Sequence, residues 1–337
     1  MNRTIYADAA ASALKPKSVI DAEVDFLSNK YANAGRGICA RAAAADSMVS
    51  AARQAVANFV GAANPEQIVF TSGATDGLNR IARTLAGKTV IVSDLDHHSA
   101  RLPFEAHCST ILAPLTEDLD YDWGAIAGLE ADAMVITAMS NVLGVARQIP
   151  KLPFAVIVDA SQFVIHARID LSNVDYLVFS GHKIGADTGL GILYQKNAGE
   201  PVNFGGGMYM AGGAARFEAG TLPLTQIAGL KAALDEPRLD AGPLTGILRE
   251  KLSAMPRIRF ISPDKSHLIA FSVDGMHFLD FGAAAGARGL CLRVGHMCAT
   301  WLHKRMGLDG SIRISLGPWN SESDIFEITE IIKEIVK

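Results

Sequence analysis

The chain has 337 residues, 49% of them hydrophobic and 20% charged, which is ordinary for a globular protein with a large core. It carries 31 basic and 35 acidic residues, so its formal net charge of −4 gives no support to a nucleic-acid or anionic-membrane partner, which would need a basic face. The N-terminal residues lack the basic and apolar regions of a secretory signal, and no apolar run approaches the roughly 18–20 residues that cross a bilayer, so we expect a cytoplasmic protein.

The first two-thirds of the chain alternates between predicted helices and strands. Helices are expected from Pro16 to about Lys30, from Ala40 to Phe59 and from Asp76 to Leu85. Short apolar runs have the length and β-branched content of buried parallel strands, and they are Ile68–Thr71, Thr89–Ser93, Thr110–Ala113, Met134–Ala138, Ala155–Asp159, Leu177–Ser180 and Gly191–Tyr194. This alternation predicts an α/β domain with a mostly parallel seven-stranded sheet flanked by helices.

The character of the sequence changes after about Leu234, where the polar segment Asp235–Pro243 is predicted to be a linker. The elements predicted beyond it are a helix (Leu244–Ala254), a strand (His267–Val273), a helix (Phe278–Ala287), two strands (Cys291–Val294 and Ile312–Leu316) and a helix (Ser321–Val336) capped by Ser321 with Asp324. This order predicts a smaller α+β domain. The expected boundaries are residues 15–234 for the large domain, and 1–14 with 235–337 for the small one.

Two motifs at predicted strand ends suggest a bound carbonyl cofactor. Lys183, in Ser180-Gly-His-Lys, follows a strand at the sheet edge where open α/β folds bind ligands, and a buried lysine amine suits Schiff-base chemistry. Asp159 ends another strand, where a protonated pyridine nitrogen would be the partner that a buried carboxylate needs. Gln162 could donate to the phenolic oxygen of the same cofactor. Taken singly, the Lys183 segment is better explained by a surface lysine after a turn, and Asp159 could be a common turn cap.

Two further segments fit the same kind of ligand. Gly73, Ala74 and Thr75 lie in a strand–turn–helix segment, where helix N–H groups and a hydroxyl could bind a phosphate, although many such turns bind nothing. His97 and His98 follow another strand, and an imidazole there could stack on a planar cofactor and shuttle protons. A metal shared by both histidines is disfavoured, because neighbouring side chains of an extended strand point to opposite faces.

The last motif places Cys298 in a glycine-containing loop after Arg293, with Arg313 on the next strand. A loop thiol suits a mobile nucleophile if a neighbouring histidine or arginine stabilises the thiolate, and the planar fork of Arg313 could bind a carboxylate. The four cysteines are expected to be free thiols in a reducing compartment. A buried structural cysteine remains an alternative, as does a zinc site. The zinc site would use residues whose spacings match no paired pattern, namely Cys291, His296, Cys298 and His303.

In this order the motifs resemble those of the class V aminotransferase superfamily, whose members have the type I fold of pyridoxal-phosphate (PLP) enzymes. Within it the chain is similar to the cysteine desulfurases of the NifS/SufS kind, on the group II branch. The resemblance runs from Tyr6-Ala-Asp-Ala-Ala-Ala to Arg313-Ile-Ser-Leu-Gly-Pro-Trp-Asn320. It implies PLP as cofactor, L-cysteine as substrate and a homodimer.

The resemblance also assigns roles to residues. It implies that Lys183, Cys298 and His97 are catalytic, as the Schiff-base lysine, the persulfide-forming cysteine and the imidazole that stacks on the ring. The implied cofactor contacts are Lys183, Asp159, Gln162, His97, Thr75, Ala74, Ser180, His182, Asn141 and Thr221, the last reaching the phosphate across a dimer interface. The implied substrate contacts are Arg313, for the carboxylate, with Asn141 and Arg293. No metal is expected.

The implied activity is conversion of L-cysteine to L-alanine, with a persulfide on Cys298 for a sulfur-acceptor protein, as in iron–sulfur cluster assembly. A selenocysteine lyase, a C–S lyase, another class V transferase or a weakly active PLP-binding scaffold subunit are the alternatives. Four positions depart from the family pattern: Gly35 and Met297 replace histidines, Ala74 replaces a phosphate-binding hydroxyl residue, and Ala9 replaces an asparagine. These departures bear on the substrate and the physiological partner.

Overall fold

The computed structural model describes residues 4–35, 37–206, 212–236 and 241–337. The strands, numbered in chain order, are β1 (Ile5–Tyr6), β2 (Ile68–Thr71), β3 (Thr89–Val92), β4 (Ser109–Leu112), β5 (Ala133–Thr137), β6 (Ala155–Asp159), β7 (Tyr176–Ser180), β8 (Gly191–Gln195), β9 (Ile258–Phe260), β10 (Ile269–Val273), β11 (Leu290–Cys291), β12 (Arg293–Gly295) and β13 (Ser311–Ile314). The α-helices are α1 (Lys17–Asp25), α2 (Ala40–Val60), α3 (Ala74–Thr84), α4 (His98–His107), α5 (Trp123–Ala127), α6 (Leu224–Asp235), α7 (Gly242–Ser253), α8 (Phe278–Ala287), α9 (Thr300–Arg305) and α10 (Glu322–Ile335).

A π-helical segment, Phe26–Lys30, continues α1, and 3-10 helices span Pro65–Gln67, Leu171–Asn173, Gly181–Lys183 and Gly213–Phe217. None of the described helices is both long and apolar enough to cross a membrane. The described chain divides into two compact units. The larger unit comprises residues 15–138 and 148–236, and the smaller one comprises residues 4–14, 139–147 and 241–337.

Within the described part of the larger unit, seven strands form one sheet in the order β2-β8-β7-β6-β5-β3-β4. Only β8 is reversed, since it pairs antiparallel with both β2 and β7, while the other neighbouring pairs are parallel. The mostly parallel seven-stranded sheet predicted from the sequence is therefore confirmed. The carboxyl ends of the parallel strands meet at one edge, which is where such sheets bind ligands.

Successive side chains of the central strand β7 point to opposite sides of the sheet, and helices cover both faces. On one face Val178 packs so closely under α3 that a Cβ at Gly77 would come within 2.9 Å of its methyl group. On the other face the ring of Phe179 lies 5.8 Å from that of Phe59 in α2. A strand that is buried on both faces has no solvent-exposed face for polar side chains, which explains why the sequences of such strands are continuously apolar.

The smaller unit contains an antiparallel sheet in the order β12-β13-β10-β9 and the parallel pair β1-β11. Its own core joins the sheet to α7, α8 and α10, and Phe271 of β10 meets Phe281 of α8 edge to face at 5.6 Å. Helix α10 begins with the predicted cap, in which Ser321 Oγ accepts from Asp324 N and the Asp324 carboxylate accepts from Ser321 N. The reciprocal bonds satisfy donors that the first helical turn would leave unpaired.

One internal segment, Met139–Arg147, packs in the smaller unit, although its position in the sequence predicts that it belongs to the large domain. Gly144 O accepts from His267 N at 3.0 Å, and the positive φ of Gly144 (64°) allows this approach, since a Cβ there would lie 2.2 Å from Ser266 Oγ. Asn141 therefore belongs to the smaller unit. The predicted linker Asp235–Pro243 includes residues 237–240, which lie outside the described residues.

Candidate active site

Lys183 lies just beyond the carboxyl end of β7, in the 3-10 helix Gly181–Lys183. The preceding Ser180 accepts, through Oγ, a hydrogen bond of 2.9 Å from Ala74 N, the first residue of α3. This bond ties the lysine segment to the start of the helix that follows β2. Two of the sequence-predicted segments are thus joined at one sheet edge, as expected for parallel strands.

The turn before α3 is built for close backbone packing. A Cβ at Gly191 of β8 would lie 2.4 Å from Gly73 Cα, so only glycine lets this strand pass the turn. Ala74 is buried and Thr75 is exposed at the first turn of α3. A helix start of this kind offers N–H groups and a partial positive charge to an anion, and the hydroxyls of Thr75 and Ser180 add donors, which is a donor set suited to a phosphate.

His182 lies between Gly181 and Lys183 and is partly buried. Burial, with smaller effects from Lys183 and Lys15, lowers the pKa of His182 to about 4, so its imidazole is neutral at physiological pH. A neutral imidazole can contact a phosphate as a hydrogen-bond donor but adds no positive charge.

A second polar group lies at the ends of β5 and β6. Asp159 is only 7% exposed and accepts a hydrogen bond of 3.0 Å from Ser161 N. Thr137 is the register partner of Asp159 on β5, and its Oγ1 donates to Asp96 at 2.8 Å. A buried carboxylate at this edge fits the protonated ring nitrogen of a pyridine cofactor, which would stabilise its charge. Gln162, in the turn after β6, is also buried, at 7% exposed.

Asp96 is fully buried and was not predicted as a site residue. Its carboxylate accepts from Ser93 N at 2.7 Å as well as from Thr137. Burial, reinforced by the nearby charge of Asp159, raises the pKa of Asp96 to about 7. The sequence signal that could have revealed it is an acid directly before His97, in the short turn that follows an apolar strand.

His97 is the N-cap residue of α4 and not part of an extended strand. Its Nδ1 accepts from Ser99 N at 3.2 Å and lies 2.7 Å from Ser99 Oγ. His97 and His98 therefore do not alternate across an extended strand as predicted, because α4 starts at His98. Among the residues that the structure describes, no group of three or more His, Cys, Asp or Glu side chains could hold a metal ion.

In the smaller unit, Arg313 of β13 is 2% exposed and is held by two acceptors. Its Nη2 donates to Asp8 Oδ1 at 2.9 Å and its Nη1 to Asn141 O at 3.0 Å. Its buried Nε has no hydrogen-bond partner within the described structure, so the Nε–H is available to an acceptor such as a carboxylate. Burial lowers the pKa of Arg313, and the charge of Asp8 opposes that shift.

Arg293 of β12 reaches the same aspartate from the other side. Its Nε and Nη2 donate to Asp8 Oδ2 at 3.0 and 2.6 Å. Asp8, which sequence reasoning missed, therefore bridges the two arginines expected to bind substrate. The signal available in the sequence was a single acid between the alanines that follow Tyr6, since a buried carboxylate requires a partner.

Cys298 is exposed and lies in a turn between β12 and α9. Met297 and Cys298 have φ values of 51° and 55°, a left-handed conformation that is uncommon for residues other than glycine. Ala299 N donates to His296 O at 2.8 Å, and Asn141 Nδ2 donates to Met297 O at 2.6 Å. Asn141 thus contacts both Arg313, through its carbonyl, and the cysteine turn, through its amide.

His303 anchors the other end of the turn. Its Nδ1 lies 2.9 Å from Ala299 O and its Nε2 lies 2.9 Å from Ser311 Oγ. A carbonyl can only accept, so Nδ1 carries the proton and Nε2 accepts from the serine hydroxyl. Because both ring nitrogens are engaged, His303 has no lone pair to offer the zinc site considered above.

The predicted site residues divide between the two units. The larger unit holds Lys183, Asp159, Gln162, His97, Thr75, Ala74, Ser180, His182 and Thr221. The smaller unit holds Cys298, Arg313, Arg293 and Asn141. Thr221 is exposed in the loop before α6.

Comparison with known proteins gives one consistent result. Residues 5–328 match the family Aminotransferase class-V. A cysteine desulfurase from Pectobacterium atrosepticum is 31% identical over 98% of this chain and 92% of the relative, and one from Cronobacter sakazakii is 33% identical over 95% and 90%.

Solved structures agree with the sequence relatives. The cysteine desulfurase CsdA from Escherichia coli, in an S-sulfonic acid form, matches with a TM-score of 0.88 at 28% identity, over 99% of this chain and 96% of that one. The apo cysteine desulfurase from Thermococcus onnurineus NA1 matches with a TM-score of 0.92 at 25% identity, over 99% and 94%. Since the family match extends over residues 5–328, the chain belongs to the aminotransferase class-V family.

Proposed function

We propose that this protein is a PLP-dependent cysteine desulfurase, which converts L-cysteine to L-alanine and leaves the sulfur as a persulfide on Cys298. The family and the desulfurase relatives support the reaction class. The observation that carries the choice of reaction is the exposed thiol of Cys298, held in a left-handed turn whose Met297 carbonyl binds Asn141. Lyases that form no persulfide need no such nucleophile, so the thiol favours the desulfurase over them.

The cofactor would be held by residues of the sheet edge. Lys183 would carry it as a Schiff base, Asp159 would pair with its ring nitrogen, and Gln162 would donate to its phenolic oxygen. Its phosphate would be bound by the start of α3, with Thr75, Ser180 and a neutral His182, while Ala74 contributes backbone only. When bound, PLP supplies an electron sink for carbanionic chemistry at the substrate. Asn141, and Thr221 from a second copy, stay predictions as further contacts.

The residues of this chain would then act in sequence on L-cysteine. Arg313 would bind the carboxylate, and the Lys183 amine, freed when the substrate amine takes its place on the cofactor, would remove the Cα proton. The Cys298 thiolate attacks the substrate sulfur, so an S–S bond forms while the Cβ–S bond breaks and leaves its electron pair on the substrate carbon. Protonation, to which His97 contributes, completes L-alanine. The net change is L-cysteine plus a Cys298 thiol to L-alanine plus a Cys298 persulfide, with no external oxidant or reductant.

Three finer features belong to the same proposal. The persulfide would pass to a sulfur-acceptor protein, as in iron–sulfur cluster assembly. The protein would form a homodimer, which is supported by an apolar stripe on α1 and its continuation, where Ile20, Val24 and Leu27 are 50%, 55% and 53% exposed. The cytoplasm is its proposed compartment, since the four cysteines are free thiols.

The test is to incubate the PLP-loaded protein with L-cysteine and to measure alanine, pyruvate and the mass of Cys298 peptides. We expect alanine without pyruvate, and an adduct of about 32 Da on Cys298, which is the mass of the one sulfur atom that a persulfide adds to the thiol. Cys298→Ala should abolish turnover, whereas Cys39→Ala, at another exposed thiol, should not. Pyruvate as the product, or full activity of Cys298→Ala, would contradict the proposal.

A further inference from the structure

Asp8 holds the two arginines of the smaller unit in one charge-assisted network. Its Oδ1 accepts from Arg313 Nη2 at 2.9 Å, and its Oδ2 accepts from Arg293 Nε and Nη2 at 3.0 and 2.6 Å. The side chains of Asp8 and Arg313 are 7% and 2% exposed, whereas that of Arg293 is 49% exposed. Arg293 is therefore the solvent-exposed member of this network, and Asp8 and Arg313 are its buried members.

The network carries one net positive charge, since two arginines face one aspartate. Without Arg293, Asp8 would neutralise Arg313 completely and would be free to turn both oxygens toward it. With Arg293 present, one oxygen of Asp8 is fixed away from Arg313, and a unit of positive charge remains for one incoming carboxylate. The unpartnered Nε of Arg313 is the donor that such a carboxylate would meet.

We infer that Arg293 is a positioning residue that acts on the substrate carboxylate through Asp8 and Arg313, and not by touching the substrate. This inference rests on the proposed function, because it concerns the same carboxylate. The contacts support it, because Arg293 donates hydrogen bonds from both Nε and Nη2 to a single oxygen of Asp8. Asp8 then determines how strongly the positive charge of Arg313 acts on the substrate carboxylate.

The experiment compares two ligands of the PLP-loaded protein, L-alanine and ethylamine, which differ by the carboxylate. Their affinities are measured from the change in cofactor absorbance. Arg293→Gln should weaken the binding of L-alanine about three- to tenfold, which is the scale of a partly exposed charge pair. It should leave the affinity for ethylamine unchanged. The matched control is Arg259→Gln, which removes an exposed arginine paired with Asp274 at the other edge of the same sheet and should change neither. In turnover, Arg293→Gln should raise KM for L-cysteine more than it lowers kcat.

Two double variants separate an indirect role from direct contact. If Arg293 acts through the network, Arg293→Gln should have no further effect on L-alanine once Arg313→Gln or Asp8→Asn is present. Each background has a counter-ion cost that its own single variant measures: Asp8→Asn leaves the buried Arg313 without its counter-ion, and Arg313→Gln leaves Asp8 dependent on Arg293 alone. A carboxylate-specific effect that persists at full size in the Arg313→Gln background would overturn the inference.

The outcomes also distinguish this inference from the proposed function. Unchanged L-alanine affinity in Arg293→Gln would refute the positioning role while leaving the desulfurase intact. Wild-type protein whose cofactor absorbance responds to neither L-alanine nor L-cysteine would refute the proposed function itself.

Discussion

Asp96 is a fully buried acid whose ionisation the fold perturbs. It is 0% exposed, and burial with the charge of Asp159 raises its pKa from the ordinary 3.8 of an aspartate to about 7. A carboxyl group whose pKa is raised by folding stabilises the native state while it is protonated. The full contribution is present below about pH 4, and it is lost as the pH rises through about 7.

We therefore predict that Asp96→Asn gains stability relative to wild type between pH 5 and pH 8. The amide can keep both contacts, because its oxygen accepts from Ser93 N and its nitrogen donates to the reversed Thr137 hydroxyl. Urea unfolding at the two pH values measures the difference. Asp309→Asn, at an exposed position, is the control and should show no such trend; a constant difference for Asp96→Asn would refute the assignment.

Residue types alone could suggest Lys183, Asp159 and Cys298, because each stands at a strand end or in a glycine-containing loop. They could not reveal Asp8, because its role depends on Arg293 and Arg313, which lie about 300 positions away along the chain. The special backbone of Met297 and Cys298 was also hidden, since neither residue type favours a positive φ. Contacts distant in sequence set both features.

At the scale of elements, a buried ion pair joins α2, β2 and the segment before α6. Arg53 of α2 donates to Glu218 through Nη1 and Nη2 at 2.8 and 2.7 Å, and Glu218 also accepts from Phe70 N at 2.7 Å. The two side chains are 9% and 3% exposed. The pair therefore fixes the chain three residues before Thr221, one of the predicted phosphate contacts.

Glu218→Gln should lower the free energy of unfolding by about 3–5 kcal/mol, because it leaves the Arg53 charge buried without a counter-ion. Urea unfolding of the PLP-loaded protein gives the value. Glu200→Gln is the matched control, since Glu200 pairs with Arg216 at the surface, and it should cost no more than about 1 kcal/mol. Equal losses of unfolding free energy in the two variants would contradict this prediction, because the buried pair would then stabilise the fold no more than the surface pair.

Strand bounds were predicted correctly where a strand is buried on both faces. They were predicted wrongly where the bounds depend on which other strand the segment pairs with. The runs Ile68–Thr71 and Ala155–Asp159 were predicted with the bounds that the structure has, because both strands are buried along almost their whole length and are therefore continuously apolar. The predicted strand Cys291–Val294 is instead divided into β11, which pairs with β1, and β12, which pairs with β13. The hydrophobic pattern of one segment does not show which strands it pairs with, so it cannot indicate that the chain passes from one sheet to another.

At the scale of the whole molecule, the chain separates two kinds of chemistry between its units. The larger unit carries the lysine, the buried aspartate and the helix start that suit an aldehyde cofactor with a phosphate. The smaller unit carries the thiol and the arginine network that suit an amino-acid substrate. The aminotransferase class-V family match extends over both units, from residue 5 to residue 328.

The central claim is that the amine of Lys183 holds PLP covalently. Borohydride reduction of the PLP-loaded protein, followed by digestion and peptide mass spectrometry, tests it most directly, because reduction makes a Schiff base permanent. The account predicts one pyridoxyl label, on Lys183, and none in Lys183→Arg. A label on another lysine, or no label in protein that has bound PLP, would contradict it.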